Sequence, residues 1–316
     1  MWLSTLSHFL LISPPIIGGD PTSDDPAVVA IASVDPCQPQ PLLLCTGTLI
    51  APRVVLTAAH CVNQPVEITQ VFFGPDVAGE GLWLRAAALR AHADFAPPSY
   101  DFDIGAIILA EDAPVPPLPY NQSPLSDADL GADARIVGFG IAESGPVGIA
   151  RTGQTLVSAV DAGAFETVPN PNMNPAMSCQ LDSGGPVLLT RDGVERLTGI
   201  TSSGDAFCEE YARNTRVDAY LDFVDAVLAE ADAGGIEPPP PLDPDCPGCS
   251  VLGCDPGQVC DLQSDSCVDE DTLPAEDGDE GCACDLGPDW GNTWATPLLL
   301  LIVGSRAIRS RSRRRA

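Results

Sequence analysis

An all-β domain closed by one helix, followed by a cysteine-rich and mostly irregular tail, is the architecture this sequence predicts. Three observations carry it. Short apolar runs alternate with Gly, Pro, Asn and Asp clusters from Ile16 to about Ala233. One stretch near the end of that region has helical periodicity. The composition then changes at four consecutive prolines, Pro238 to Pro241.

Residues 27–32, 54–56, 104–109 and 186–189 are apolar runs too short for core helices, and they read as buried strands. A helix over 217–230 gathers Val217, Tyr220, Leu221, Val224, Val227 and Leu228 on one face. Gly234 and Gly235 end it and close a domain spanning 16–233. Residues 234–245 form a stiff, Pro-rich spacer. In 246–268, Cys246, Cys249, Cys254, Cys260 and Cys267 sit among Asp, Gly and Pro, with too little apolar material for a core, so disulfides have to hold the segment. Residues 269–281 are acidic and read as a flexible linker. Residues 282–316 combine Cys282 and Cys284 with an apolar patch over 297–303 and an arginine cluster.

The 316 residues suffice for one large all-β domain with appendages, and the 45% hydrophobic content supports a real core. The formal charge is -29, and every basic residue is arginine. Arg306, Arg309, Arg311, Arg313, Arg314 and Arg315 crowd the C-terminal end, so the body is more acidic than the total suggests. Such a field repels phosphate backbones and argues against a nucleic-acid partner. Twelve cysteines point to an oxidising compartment, hence to a secreted or surface-attached protein. The rival is a cytosolic metal protein, but the cysteine-rich tail has no histidine and irregular spacings, so no metal is expected. Residues 1–15, with an apolar core at 9–12 and no preceding basic residue, read as a short signal or pro segment.

Four motifs carry chemistry: Ile16-Ile17-Gly18-Gly19, Leu56-Thr57-Ala58-Ala59-His60-Cys61, Asp103-Ile104-Gly105-Ala106-Ile107 and Asp182-Ser183-Gly184-Gly185-Pro186. A serine hydroxyl is a weak nucleophile until a base takes its proton, and a histidine needs a carboxylate on its other nitrogen to hold the right tautomer. The chain has three histidines. His8 falls in the signal segment and His92 reads as a surface or packing residue, which leaves His60 as the base. Asp103, directly before an apolar run, is the orienting carboxylate, with Asp101 as its rival.

In order and spacing these motifs resemble the trypsin/chymotrypsin family of serine proteases over roughly residues 16 to 230. The resemblance implies two six-stranded antiparallel β-barrels with the active site between them, and peptide-bond hydrolysis through an acyl-enzyme on Ser183. It implies protein or peptide substrates and no metal or organic cofactor. By the same resemblance the backbone N–H groups of Leu181 and Ser183 form the oxyanion hole, although the family has glycine where Leu181 stands. A side chain there restricts the backbone that aims the donor, and the alternative is a catalytically weak or inactive homologue acting as a binding module. Ile16 would be the mature N-terminus, released by an activating protease at Pro15–Ile16 and paired with Asp182; the basic residue usual before that bond is missing. Met177 matches the floor of the primary pocket, Gly204 and Ala212 its walls, and Ser202 the serine that supports the triad aspartate. Ser203 replaces the usual tryptophan. Together these imply a preference for uncharged side chains. Cys45–Cys61 and Cys179–Cys208 are the implied disulfides, and Cys37 has no family partner in the domain. The last 35 or so residues resemble the myxobacterial C-terminal sorting signal, which implies attachment at the membrane or cell surface, or release by processing there. The other reading of this end is a disordered basic tail after a buried segment.

Overall fold

The computed structural model describes residues 15–35, 40–141, 146–173, 175–240, 258–261 and 266–269. They fall into two units, residues 1–247 and 248–316, treated separately below. The first unit opens with a helical turn, α1 (Pro15–Gly18), and a two-residue strand, β1 (Asp20–Pro21).

Six strands follow: β2 (Val28–Ser33), β3 (Leu42–Ala51), β4 (Val54–Thr57), β5 (Thr69–Phe73), β6 (Leu82–Ala91) and β7 (Gly105–Leu109). They pair antiparallel in the order β2-β3-β4-β7-β6-β5, and β5 returns to β2 to close a barrel. The apolar runs predicted as strands lie in β2, β4 and β7. They show no polar alternation because both faces are covered: β4 and β7 are buried along their whole length. Their core continues into Val137, Phe139, Leu188 and Ile200 of the next barrel and into Val224 and Val227 of the closing helix.

The second barrel is built from β8 (Asp133–Gly138), β9 (Arg151–Val160), β10 (Ala164–Pro169), β11 (Pro186–Arg191), β12 (Val194–Gly204) and β13 (Ala212–Arg216). The order is β8-β9-β10-β13-β12-β11, closed by β11 on β8, and β1 lies against β9 outside the ring. The buried cluster within it includes Ile16, Val157, Phe165, Ala176 and Val187. A register shift between Thr201 and Ser203 bulges β12, the kind of irregularity that re-aims a side chain.

The closing helix is α2 (Leu221–Ala233), four residues shorter at its start than the periodicity predicts. Asp218–Tyr220 form a 3-10 turn instead, because the Asp218 carboxylate is taken by Arg216 and by the Leu125 N–H. Gly234 and Gly235, at φ 69° and 83°, end the helix as expected. The chain beyond them stays on the domain: Ile236 packs against the first barrel and Arg85 donates to the Pro239 carbonyl. In the second unit, β14 (Gln258–Asp261) and β15 (Ser266–Asp269) form an antiparallel hairpin with Cys260 opposite Cys267. The signal segment, Cys37 and the rest of the tail lie outside the described residues. Among the described residues no helix is long and apolar enough to cross a membrane.

Candidate active site

Asp103 sits two residues before β7 and is completely buried. Its Oδ2 lies 2.8 Å from His60 Nδ1 and accepts from Ser202 Oγ at 2.6 Å, while Oδ1 accepts the His60 backbone N–H at 3.0 Å. Thr215 Oγ1 donates to the Asp103 carbonyl at 2.9 Å. Three fixed donors therefore offset the cost of burying the carboxylate. His60 lies on the 3-10 turn Ala59–Val62 directly after β4, its side chain one-quarter exposed. With Nδ1–H directed at the carboxylate, Nε2 is left as the acceptor. Asp101 is elsewhere: its carboxylate is largely exposed and 3.6 Å from Arg213.

Ser183 occupies the turn before β11. Its carbonyl accepts from the Thr46 N–H at 2.9 Å and lies 3.6 Å from Sγ of Cys61, the residue after His60. Gly184 makes this approach possible. At φ +82°, a β-carbon there would fall 2.0 Å from Thr57 Oγ1 and 2.3 Å from the Thr46 carbonyl, both in the first barrel. The serine turn and the histidine turn are thus packed backbone against backbone. Among the described residues the Ser183 hydroxyl makes no hydrogen bond to His60; in a site without substrate such bonds are often long.

Leu181 adopts a backbone uncommon for a residue with a side chain. Its φ is +69°, the left-handed conformation glycine would adopt. Holding a leucine there costs about 1–2 kcal/mol, and the surroundings enforce it. Thr46 Oγ1 donates to the Leu181 carbonyl at 3.1 Å, and the Asp182 carboxylate accepts from the N–H groups of Cys179 and Gly140 at 2.9 and 2.8 Å. Among the described residues neither the Leu181 nor the Ser183 N–H has a protein acceptor.

Asp182 is buried with no cationic partner among the described residues, and burial pushes its pKa up to about 7 despite the two N–H donors. Gly138 and Gly140 leave room for it, since a β-carbon at either would come within 2.6 Å of its Oδ1. Ile16 is also buried, against Ala176 and Val157, in the uncut chain.

A cavity of about 240 Å³ adjoins Ser183, lined also by Ser178, Gln180, Ser202, Gly204 and Asp205. Ser202 and Gly204 stand on it. Met177 and Ala212 do not line it: both are buried, and the Met177 sulfur lies 4.0 Å from Thr155 Oγ1. Asp205 was not foreseen. Burial raises its pKa, but its carboxylate is occupied by the N–H groups of Phe207, Glu209, Glu210 and Tyr211, which together hold the pKa down at about 2. The disulfides Cys45–Cys61 and Cys179–Cys208 both form, and each fixes one wall of the site. Crosslinks of this kind contribute about 2–4 kcal/mol. Among the described residues the one set of donors close enough to hold a metal is Cys45, His60 and Cys61, and the disulfide takes both thiols.

Sequence reasoning also missed Thr46, whose hydroxyl joins the Leu181 carbonyl to the Phe139 N–H across the two barrels. Its one signal is its position directly after Cys45. His92, read as a surface or packing residue, packs in an aromatic cluster with Phe102, Tyr220 and Phe223.

Two closed antiparallel barrels that bring a serine turn against a carboxylate-bound histidine define a double-barrel serine hydrolase. The family model Trypsin matches residues 16–224, and the chain belongs to the trypsin family. It is similar to a trypsin of Saccharopolyspora erythraea, 28% identical over 246 residues, which cover 70% of this chain and 100% of that protein. The serine protease Hayan of Drosophila melanogaster is 27% identical over 58% of this chain and 34% of its own length. Venom serine protease 34 of Apis mellifera is 28% identical over 63% of this chain and 55% of its own. The chain thus spans the whole of the first relative and a third to a half of the other two. It is a serine-type endopeptidase.

Proposed function

We propose that His60, Asp103 and Ser183 form the catalytic triad of a secreted endopeptidase that hydrolyses peptide bonds through an acyl-enzyme. The observation that carries the reading is the hydrogen-bonded set His60–Asp103–Ser202 beside the Ser183 turn. Ser183 Oγ attacks the peptide carbonyl carbon while its proton passes to His60 Nε2. Asp103, already fixed by three donors, stabilises the resulting imidazolium. The imidazolium then protonates the leaving amine as the C–N bond breaks. Water, deprotonated by the same nitrogen, releases the acid and restores Ser183. The free N–H groups of Leu181 and Ser183 would hold the tetrahedral oxyanion, each such donor being worth about 3 kcal/mol.

The cavity beside Ser183 favours uncharged side chains. Met177, next to the lining residue Ser178, carries no charge, and the Asp205 carboxylate is already satisfied by backbone N–H groups. Activation would come from an upstream protease cutting before Ile16, whose new ammonium would pair with Asp182. The disulfides fit an extracellular setting, with the C-terminal tail as a membrane or cell-surface attachment. The binding-module alternative rests on Leu181, and the left-handed backbone at that residue favours the enzyme reading.

The test is covalent labelling of the chain processed before Ile16 by a fluorophosphonate, with Ser183→Ala as control. Labelling confined to Ser183 is expected, together with at least a thousandfold loss in His60→Ala. Absence of labelling in a chain whose N-terminus is shown to be Ile16 would overturn the reading.

A further inference from the structure

Beyond α2 the chain runs as a strap whose burial repeats every three residues. Ile236 and Pro239 are half-buried, whereas Gly235, Glu237, Pro238 and Pro240 are exposed. Three residues make one turn of a polyproline helix, which has no internal hydrogen bonds and sets every third residue on one face. That face lies on the first barrel: Ile236 packs against its buried core, and the Arg85 guanidinium on β6 donates to the Pro239 carbonyl. Arg90, further along β6, is paired with Glu230 near the end of α2. The segment expected as a spacer is therefore held on the domain through residue 239. It also lies beyond the residues matched by the family model, which stop at 224.

The strand that receives the strap also supports the candidate catalytic histidine. The 3-10 turn Ala59–Val62, which carries His60, and the 3-10 turn Val66–Ile68 both pack on β6. A surface groove joins these turns to the strap, its lining including Val62, Val66, Ala87, Leu89 and Ile236. The register of β6 shifts between Ala86 and Ala88, so its ladder is interrupted at this point and gives the turns less support. Val62 belongs to the cluster against which Ile236 packs. Its side chain also reaches Gly105, where a β-carbon would stand 3.0 Å from Val62 Cγ2 and 2.9 Å from the Ala58 carbonyl. Gly105 is two residues after Asp103, so Val62 touches both the turn that carries the imidazole and the strand entry that carries its carboxylate. Close-packed interiors pass small displacements on. We propose that Ile236 is a positioning residue for this pair: held in place by the strap, it backs the Val62 end of the turn and keeps His60 in register with Asp103. The inference rests on His60 being the base of the hydrolase proposed above.

Labelling and backbone hydrogen exchange on the full chain processed before Ile16 test it. Well below the unfolding temperature, Ile236→Asp, which puts a charge into the groove, should slow fluorophosphonate labelling about tenfold per folded molecule. The His60 N–H, bonded to Asp103, and the Cys61 N–H, bonded to the Ala58 carbonyl, should exchange about tenfold faster. Amides of β10 and β13 should exchange at the parental rate, which a general loss of stability would not spare. Ile236→Leu should restore both readouts, and Glu237→Gln, on the exposed face, should alter neither. If Ile236→Asp does not fold, Arg85→Met, which removes the donor to Pro239, carries the same comparison with an effect of about threefold. Parental labelling in a folded Ile236→Asp chain refutes the inference, whatever the exchange. Acceleration spread evenly over both barrels refutes it as well. A parent chain that never labels refutes the hydrolase premise alone, because exchange at residues 60 and 61 still decides whether Ile236 holds the turn.

Discussion

Asp182 offers a sharp physical test of the activation proposed above. In the uncut chain its carboxyl is buried with a pKa of about 7, against an ordinary value of 3.8. Between those values the folded chain keeps a proton that the unfolded chain releases. Stability therefore falls as pH rises, by ~1.4 kcal/mol per pH unit, or about 4 kcal/mol between pH 4 and pH 7. Urea unfolding of the uncut Ser183→Ala chain at pH 4.5, 5.5, 6.5 and 7.5 measures this slope. Asp182→Asn, which keeps a side-chain acceptor for one of the two N–H groups, isolates the contribution: its difference from the parent should widen in its favour by about 1.4 kcal/mol per unit up to pH 7. In a chain beginning at Ile16 the slope should reverse. The new ammonium would depress the Asp182 pKa, so that stability is lost as pH falls rather than as it rises. Equal pH dependence in the parent and in Asp182→Asn would show that this carboxyl does not titrate in the range, and the account of its burial would be wrong.

Two further substitutions probe the walls of the site. Thr46→Val strands the Leu181 carbonyl and the Phe139 N–H; with about 1–3 kcal/mol lost per buried unpaired group, it should destabilise by about 2–6 kcal/mol and slow fluorophosphonate labelling about tenfold. A stable variant that labels at the parental rate would mean the hydroxyl does not hold the oxyanion loop. Met177→Ala removes a buried side chain and should cost about 2–5 kcal/mol. It should also deepen the Ser183 cavity, so that a peptide library shifts towards longer uncharged residues at the cleaved bond; an unchanged profile would place Met177 outside the determinants of specificity.

Much of this is legible in the sequence, because the informative signals are local. The runs that became β4 and β7 lacked polar alternation because both faces are covered, and apolar composition alone can record that. Asp103 was preferred over Asp101 for directly preceding such a run, and burial follows: one carboxylate is sealed against His60 while the other remains at the surface beside Arg213. The helix start was misjudged because apolar spacing cannot register that Asp218 serves Arg216 and Leu125. Met177 was assigned to the pocket by position, but whether a side chain lines a cavity or closes it from behind depends on packing partners such as Thr155, far away in the sequence.

Leu181 shows most clearly where local reading fails. Judged alone, a leucine in place of glycine argues against the backbone an oxyanion donor requires, since the left-handed conformation is costly for any residue with a β-carbon. The conformation is nevertheless enforced from outside, by a threonine of the first barrel and by an aspartate anchored to two backbone N–H groups. One to two kcal/mol of strain is small beside those contacts, so residue preference loses to tertiary restraint. The same reasoning extends to Tyr100, another non-glycine residue with a left-handed backbone, whose ring stands edge-on to the His60 imidazole.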